Sequence, residues 1–200
     1  MAVPPTGRTA VRRKPDRGRY DRDLIHAVLD EALVCHVGFQ SEHGPVVLPT
    51  MHARVGDTLY LHGAVGNALL RSLAGGAPVC VTVTLLDGLV LARSAFHHSM
   101  NYRSVVVFGT ATAVEDADTK LTALEALIER IHPGRWAEAR QPNESELRQT
   151  LVVALPLDEA SAKVRTGPPI DDDADYALAV WAGEIPLETR RLEAIPDPAG

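Results

Sequence analysis

Aromatic side chains make up only 4% of the 200 residues, so any core must be built from Val, Leu, Ala and Ile. That scarcity argues against single-stranded nucleic-acid binding, which relies on aromatic stacking platforms. Cysteine is limited to Cys35 and Cys80, both inside apolar runs, where thiols act as small core residues of a reduced, intracellular protein. No stretch approaches 18 apolar residues, so no helix should span a membrane. The N-terminus has arginines but no apolar region behind them, which argues against a secretory signal, and the cytoplasm is the default compartment.

Several chemistries are missing as well. There is no Walker pattern, and the glycines do not give GxGxxG. A G-x-S-x-G hydrolase elbow is absent. Asp171 to Asp175 resembles the start of a calcium loop, but Tyr176 stands where Gly is needed and Ala182 where Glu is needed; an exposed acidic loop is expected. His97 and His98 are adjacent, so extended backbone would point them to opposite faces, and no metal site is expected. An axial haem ligand needs only one histidine.

What is present is ordinary globular material, 46% hydrophobic and 23% charged. The net charge of −6 is uneven. Residues 1–22 carry seven Arg or Lys against two Asp, leaving −11 for the remainder, which does not suit a duplex-DNA binder. The pattern divides the chain into a flexible basic arm over residues 1–20, a domain over 21–187 and a polar tail over 188–200.

Leu24, Ile25, Val28, Leu29 and Ala32 mark one face of a helix capped by Asp21. Strands are expected over 33–39, 45–55 and 58–62, joined by short turns as an antiparallel meander. A short helix over 68–73 should stop at Gly75-Gly76. Residues 78–86 are strongly β-branched, and Asp87-Gly88 signals a hairpin returning over 89–95. A strand over 104–114 precedes an amphipathic helix through Leu121, Leu124, Leu127, Ile128 and Ile131. A short helix over 144–148, strands over 150–157 and 160–165, and an apolar segment around Trp181 complete the pattern. The fold class is mainly β with peripheral helices, an antiparallel barrel or sandwich.

One stretch concentrates polar chemistry. From Arg93 to Ser104 the chain places His97, His98, Ser99, Asn101, Tyr102, Arg103 and Ser104 just before an apolar run. Buried polar groups must be paired, so the segment either pairs internally or is completed by a polar ligand. A second cluster is Tyr60-Leu61-His62-Gly63-Ala64, a strand ending in histidine and small residues. Asn67 and Arg71 follow on one helical face, where an anion such as phosphate fits.

These residues carry a resemblance. Pro49-Thr50, the His62 element, Asp87-Gly88, Asn101-Tyr102-Arg103-Ser104-Val105 before Gly109, Ser161-Ala162-Lys163-Val164-Arg165 and Trp181 to Leu187 occur in the order seen in one group. The chain resembles the flavin-nucleotide-binding branch of the pyridoxamine 5′-phosphate oxidase-like superfamily, which includes the nitroimidazole-resistance proteins. The resemblance covers residues 19–187. It implies a split β-barrel that forms a homodimer, with FMN in clefts at the subunit interface.

On that pattern Pro49, Thr50, His62, Gly63 and Ala64 flank the flavin, and Asn67 and Arg71 approach its phosphate. Many relatives have lysine in the loop where Gly66-Asn67 stands, so Arg71 or Arg103 would supply the charge. Ser99, Asn101, Tyr102, Arg103 and Ser104 can donate hydrogen bonds, and Trp181 resembles a residue that covers the flavin from the partner subunit. The implied activity is a flavin-dependent oxidoreductase that reduces a small organic substrate, with NAD(P)H or another donor supplying electrons and His62 as the catalytic residue. The alternative is a non-catalytic module holding flavin, the deazaflavin F420 or haem for storage, sensing or cofactor handling. Asn101 to Ser104 are the favoured ligand contacts; His97 and His98 are assigned to loop or interface roles. Neither nucleic acid nor membrane is an expected partner.

Overall fold

A computed structural model describes residues 4–198, so parts of the expected arm (1–3) and tail (199–200) lie outside the described residues. The chain forms two compact units. The first comprises residues up to Leu85 together with Arg103–Val164; the second comprises Leu86–Tyr102 and the residues from Arg165 onward.

In the first unit, β1 (Gly18–Arg19) precedes α1 (Arg22–Glu31), whose first turn is closed by Asp21 accepting from the Leu24 N–H at 3.0 Å. Ile25, Val28 and Leu29 point from α1 into the core, as the 3.6-residue spacing requires. β2 (Val34–Ser41) and β3 (Gly44–Met51) form a hairpin in which Cys35 faces Thr50 and His36 faces Pro49. β4 (Ala53–Val55) and β5 (Thr58–Ala64) form another, and α2 (Ala68–Ala74) follows.

β6 (Pro78–Leu91) and β7 (Ser99–Thr110) each run from one unit into the other. β8 (Thr112–Ala113), α3 (Ala117–Ile131), α4 (Arg135–Glu138), α5 (Glu144–Gln149), β9 (Thr150–Pro156) and β10 (Glu159–Arg165) complete the larger unit. One sheet has the order β1-β10-β7-β6-β2-β3, and a second has β4-β5-β9-β8. Between them lies a core of Leu, Val, Ile and Ala with buried Cys35, and no Phe, Tyr or Trp is fully buried among the described residues, as the composition demands.

Three expectations are corrected here. Residues 45–55 are not one strand: the chain breaks at His52, so β3 and β4 join different sheets and the meander is divided. The cause is the His52 imidazole, which is fully buried and bonded through Nε2 to the Leu29 carbonyl of α1 at 2.9 Å. Asp87-Gly88 is not a hairpin either, because β6 runs straight through it. Gly88 faces Pro186 of β11 (Gly183–Pro186), and a Cβ there would sit 3.1 Å from the Ile185 carbonyl oxygen. This glycine allows close approach of a neighbouring strand rather than a turn. The third concerns residues 171–175, where Asp172 and Asp173 are exposed but the Asp171 carboxylate is buried.

Asp171 accepts from the backbone N–H groups of Arg93 and Ser94 and from the Arg93 guanidinium, all within the second unit. Those donors hold its carboxyl below the ordinary range despite burial. The N-terminal residues also take part in the first unit. Gly18 and Arg19 pair with Lys163 and Ala162, the Val11 N–H donates to the Tyr20 hydroxyl, and Arg8 pairs with Glu159.

Candidate functional site

His62 lies near the end of β5, opposite Val152 of β9. Strand alternation sends Leu59 and Leu61 into the core and leaves Tyr60 and His62 on the other face, half-buried. The His62 imidazole makes no hydrogen bond among the described residues, and its Nδ1 is fully shielded without a partner. Burial alone depresses its pKa, so the ring is neutral at neutral pH. A neutral imidazole nitrogen with a free lone pair can accept a hydrogen bond or ligate a metal centre.

The residues after it are small for a steric reason. A Cβ on Gly63 would come within 2.9 Å of Leu70 Cδ1 and 3.4 Å of Asn67 Nδ2, so a side chain there would push α2 away. Ala64 and Asn67 close a turn, with the Asn67 N–H donating to the Ala64 carbonyl at 2.9 Å. Asn67 caps α2, its Oδ1 accepting from the Leu70 N–H at 3.2 Å. Arg71 is exposed and has no ion pair among the described residues. Pro49 is exposed and Thr50 half-buried near the end of β3, which is in contact with β5.

The polar run divides. Arg103 forms a two-pronged ion pair with Glu31, and Ser104 donates to the Lys163 carbonyl at 3.3 Å. In the second unit, Asn101 is buried, accepting from Arg165 and donating to Glu184. For these three the donors are engaged within the chain, the internal pairing that was one of the two expectations. Ser99 and Tyr102 are half-buried, and Trp181 is 64% exposed. His97 pairs with Asp172 at 3.3 Å and His98 Nδ1 lies 3.0 Å from the Ser94 carbonyl oxygen.

Two features escaped the sequence pattern. His52 is a neutral core histidine whose Nδ1 is also unpartnered, its pKa lowered first by burial. A polar residue within an expected strand was its only signal. A cavity lined by residues 8–13 and by β7 and β10 side chains was foreshadowed only by the basic composition of the N-terminus.

No curated protein matches the chain. Among solved structures, the flavocytochrome Anf3 from Azotobacter vinelandii is 41% identical, with a TM-score of 0.93 over 98% of this chain and 91% of that one. The FAD and heme binding protein from Mycobacterium smegmatis is 40% identical, with a TM-score of 0.87 over 91% and 89%. A 5-nitroimidazole antibiotic resistance protein from Bacteroides thetaiotaomicron is 26% identical, with a TM-score of 0.62 over 74% and 86%. The antiparallel sheets and few helices fit the split-barrel fold these relatives share. The pyridoxamine 5′-phosphate oxidase family model matches residues 21–164, and the chain belongs to the pyridoxamine 5′-phosphate oxidase-like family.

Proposed function

We propose that this chain is a flavin-binding redox protein that also holds haem. The observation that carries the reading is the 40–41% identity, across more than 90% of the chain, to two proteins whose names state flavin and haem. FAD is therefore favoured over the FMN that the resemblance implied and over its alternative F420. The side chains present fit such groups. His62 offers an unpartnered neutral nitrogen, and Gly63 lets α2 pack close behind it. Arg71 has charge to offer a phosphate.

A bound flavin would supply hydride or single-electron transfer, and haem single-electron or oxygen chemistry. The chain's own part is to seat and orient these groups and to keep a nitrogen lone pair available at His62. This supports a redox role toward a small acceptor, with His62 the residue nearest the chemistry.

The absorbance spectrum of the purified chain, with mass spectrometry of the released ligand, tests the reading. A flavin spectrum and a haem Soret band are expected. His62→Ala should shift or abolish the Soret band, whereas His97→Ala and His98→Ala should not. Protein that stays colourless after addition of FAD and haemin would overturn the proposal.

Homodimerisation belongs to the same reading. Val34, His36 and Gly38 on β2 share a sheet face with Val47, Pro49 and Met51 on β3. Val34 and Val47 are 47% and 63% exposed, an apolar surface suited to a second copy of the chain. Val47→Asp is expected to convert a dimer to a monomer in sedimentation, and an unchanged sedimentation coefficient would count against this face.

A further inference from the structure

We propose that the first unit carries a separate binding site for an adenosine-phosphate group, in a cavity of about 300 Å³ between residues 8–13 and strands β7 and β10. Its lining is strongly one-signed. Arg8, Arg12, Arg13 and Lys163 contribute cations, and no carboxylate among the described residues lines it. Arg8 pairs with Glu159, but Arg12, Arg13 and Lys163 have no ion pair among the described residues. Clustered cations around a concavity repel one another unless an anion joins them.

Two further observations point to a ligand. Ser161 lines the same cavity at 7% exposure, and its hydroxyl makes no hydrogen bond among the described residues. That hydroxyl is not sealed from solvent, so its proton stays available at the cavity wall for a phosphate oxygen to accept. Val106 and half-buried Phe108 give the cavity an apolar wall for a flat ring, with the Arg8 guanidinium 5.2 Å from the Phe108 ring centroid.

Arginine forks suit phosphate geometry, and the volume sits at the small end of ligand sites, room for one nucleoside phosphate. The site also accounts for the concentration of positive charge at the N-terminus of an otherwise acidic chain. Two sources share the chemistry: the adenylate half of FAD, and a free adenine nucleotide such as NAD(P)H. The first source rests on the flavin reading, whereas the second does not, since every lining residue belongs to the first unit.

The test is calorimetric titration of AMP into the full chain, free of flavin and then loaded with FAD. The flavin-free chain is expected to bind AMP. Arg12→Ala/Arg13→Ala and Lys163→Ala should each weaken binding about tenfold or more, as loss of a charge-assisted hydrogen bond implies. Ser161→Ala should weaken it less, and circular dichroism should show every variant folded. AMP binding in both states supports a free nucleotide. Binding only without FAD, with the double variant losing about tenfold in FAD affinity but none in FMN affinity, supports the flavin's own adenylate. No AMP binding, binding unchanged in the folded variants, or inorganic phosphate binding as tightly as AMP overturns the proposal. Binding by a chain that takes up no flavin would sink the flavin reading and leave this site intact.

Discussion

Leu61→Ala is expected to lower the unfolding free energy by about 2–5 kcal/mol, the cost of emptying a fully buried leucine position. Leu61 is 1% exposed, belongs to the main core and pairs across the ladder with Val153, itself fully buried. The flanking strands are tied by backbone ladders that limit collapse around the void. For a chain of this size each kcal/mol shifts the melting temperature by about 2–4 °C, so a fall of roughly 5–20 °C should be seen by circular dichroism.

The adjacent residue provides the control. His62 is half-buried and makes no hydrogen bond among the described residues, so His62→Ala should change stability little while altering the absorbance spectrum. A Leu61→Ala cost under about 1 kcal/mol would mean that β5 does not seal the core. The contrast separates the two faces of one strand: Leu59 and Leu61 fill the main core, while Tyr60 packs on a second, smaller cluster and His62 beside it keeps an unpartnered nitrogen.

What the sequence could disclose follows from where its physics is local. α1, α2 and α3 were legible because apolar spacing and caps sit within a few residues: Asp21 before α1, Asn67 and Gly75 around α2. Strand β9 was legible from Thr150, Val152 and Val153, whereas β10, with Val164 its single β-branched residue, was expected only as a last pairing strand. Sheet partnership was not. Asp87-Gly88 carries a turn signal, but the glycine serves the contact with Ile185, nearly a hundred residues later.

His52 broke an expected strand because its imidazole bonds a carbonyl on α1, again a long-range partner. The candidate site shows the same division. Gly63 was marked by small residues after His62, a local pattern. By contrast, the pairing of Asn101 with Arg165 and Glu184, and of Arg103 with Glu31, joins residues more than sixty positions apart. The Asp171–Arg93 pair hid inside what reads as a solvated acidic run for the same reason.

Acidification should destabilise the protein through its two depressed histidines. His52 and His62 both have pKa values lowered chiefly by burial. At His52, the Leu29 carbonyl and Asp30 oppose the shift, and Arg130 adds to it. With folded-state values below the unfolded one, the unfolded chain binds protons that the folded chain refuses as pH drops below about 6.5. Stability is therefore highest above that point and declines as pH falls toward the folded-state values.

The structural reason is visible at Nδ1, which has no acceptor in either ring, so a proton placed there becomes a buried donor without a partner. At fully buried His52 that penalty is about 1–3 kcal/mol. The shifted carboxylates act elsewhere on the scale. Asp57, Asp116, Glu129 and Asp171 are held below the ordinary carboxylate range, and Glu146 is at about 2, so their stabilisation is lost only at lower pH.

Urea unfolding at about pH 7.5 and about pH 5 should show a loss of midpoint for the unmodified chain, and a smaller loss for His52→Leu. At the higher pH that variant gives up the bond to the Leu29 carbonyl, so its absolute stability is expected to match or fall below the original; the informative quantity is the slope with pH. An equal slope in both proteins would assign the acid sensitivity to groups other than His52.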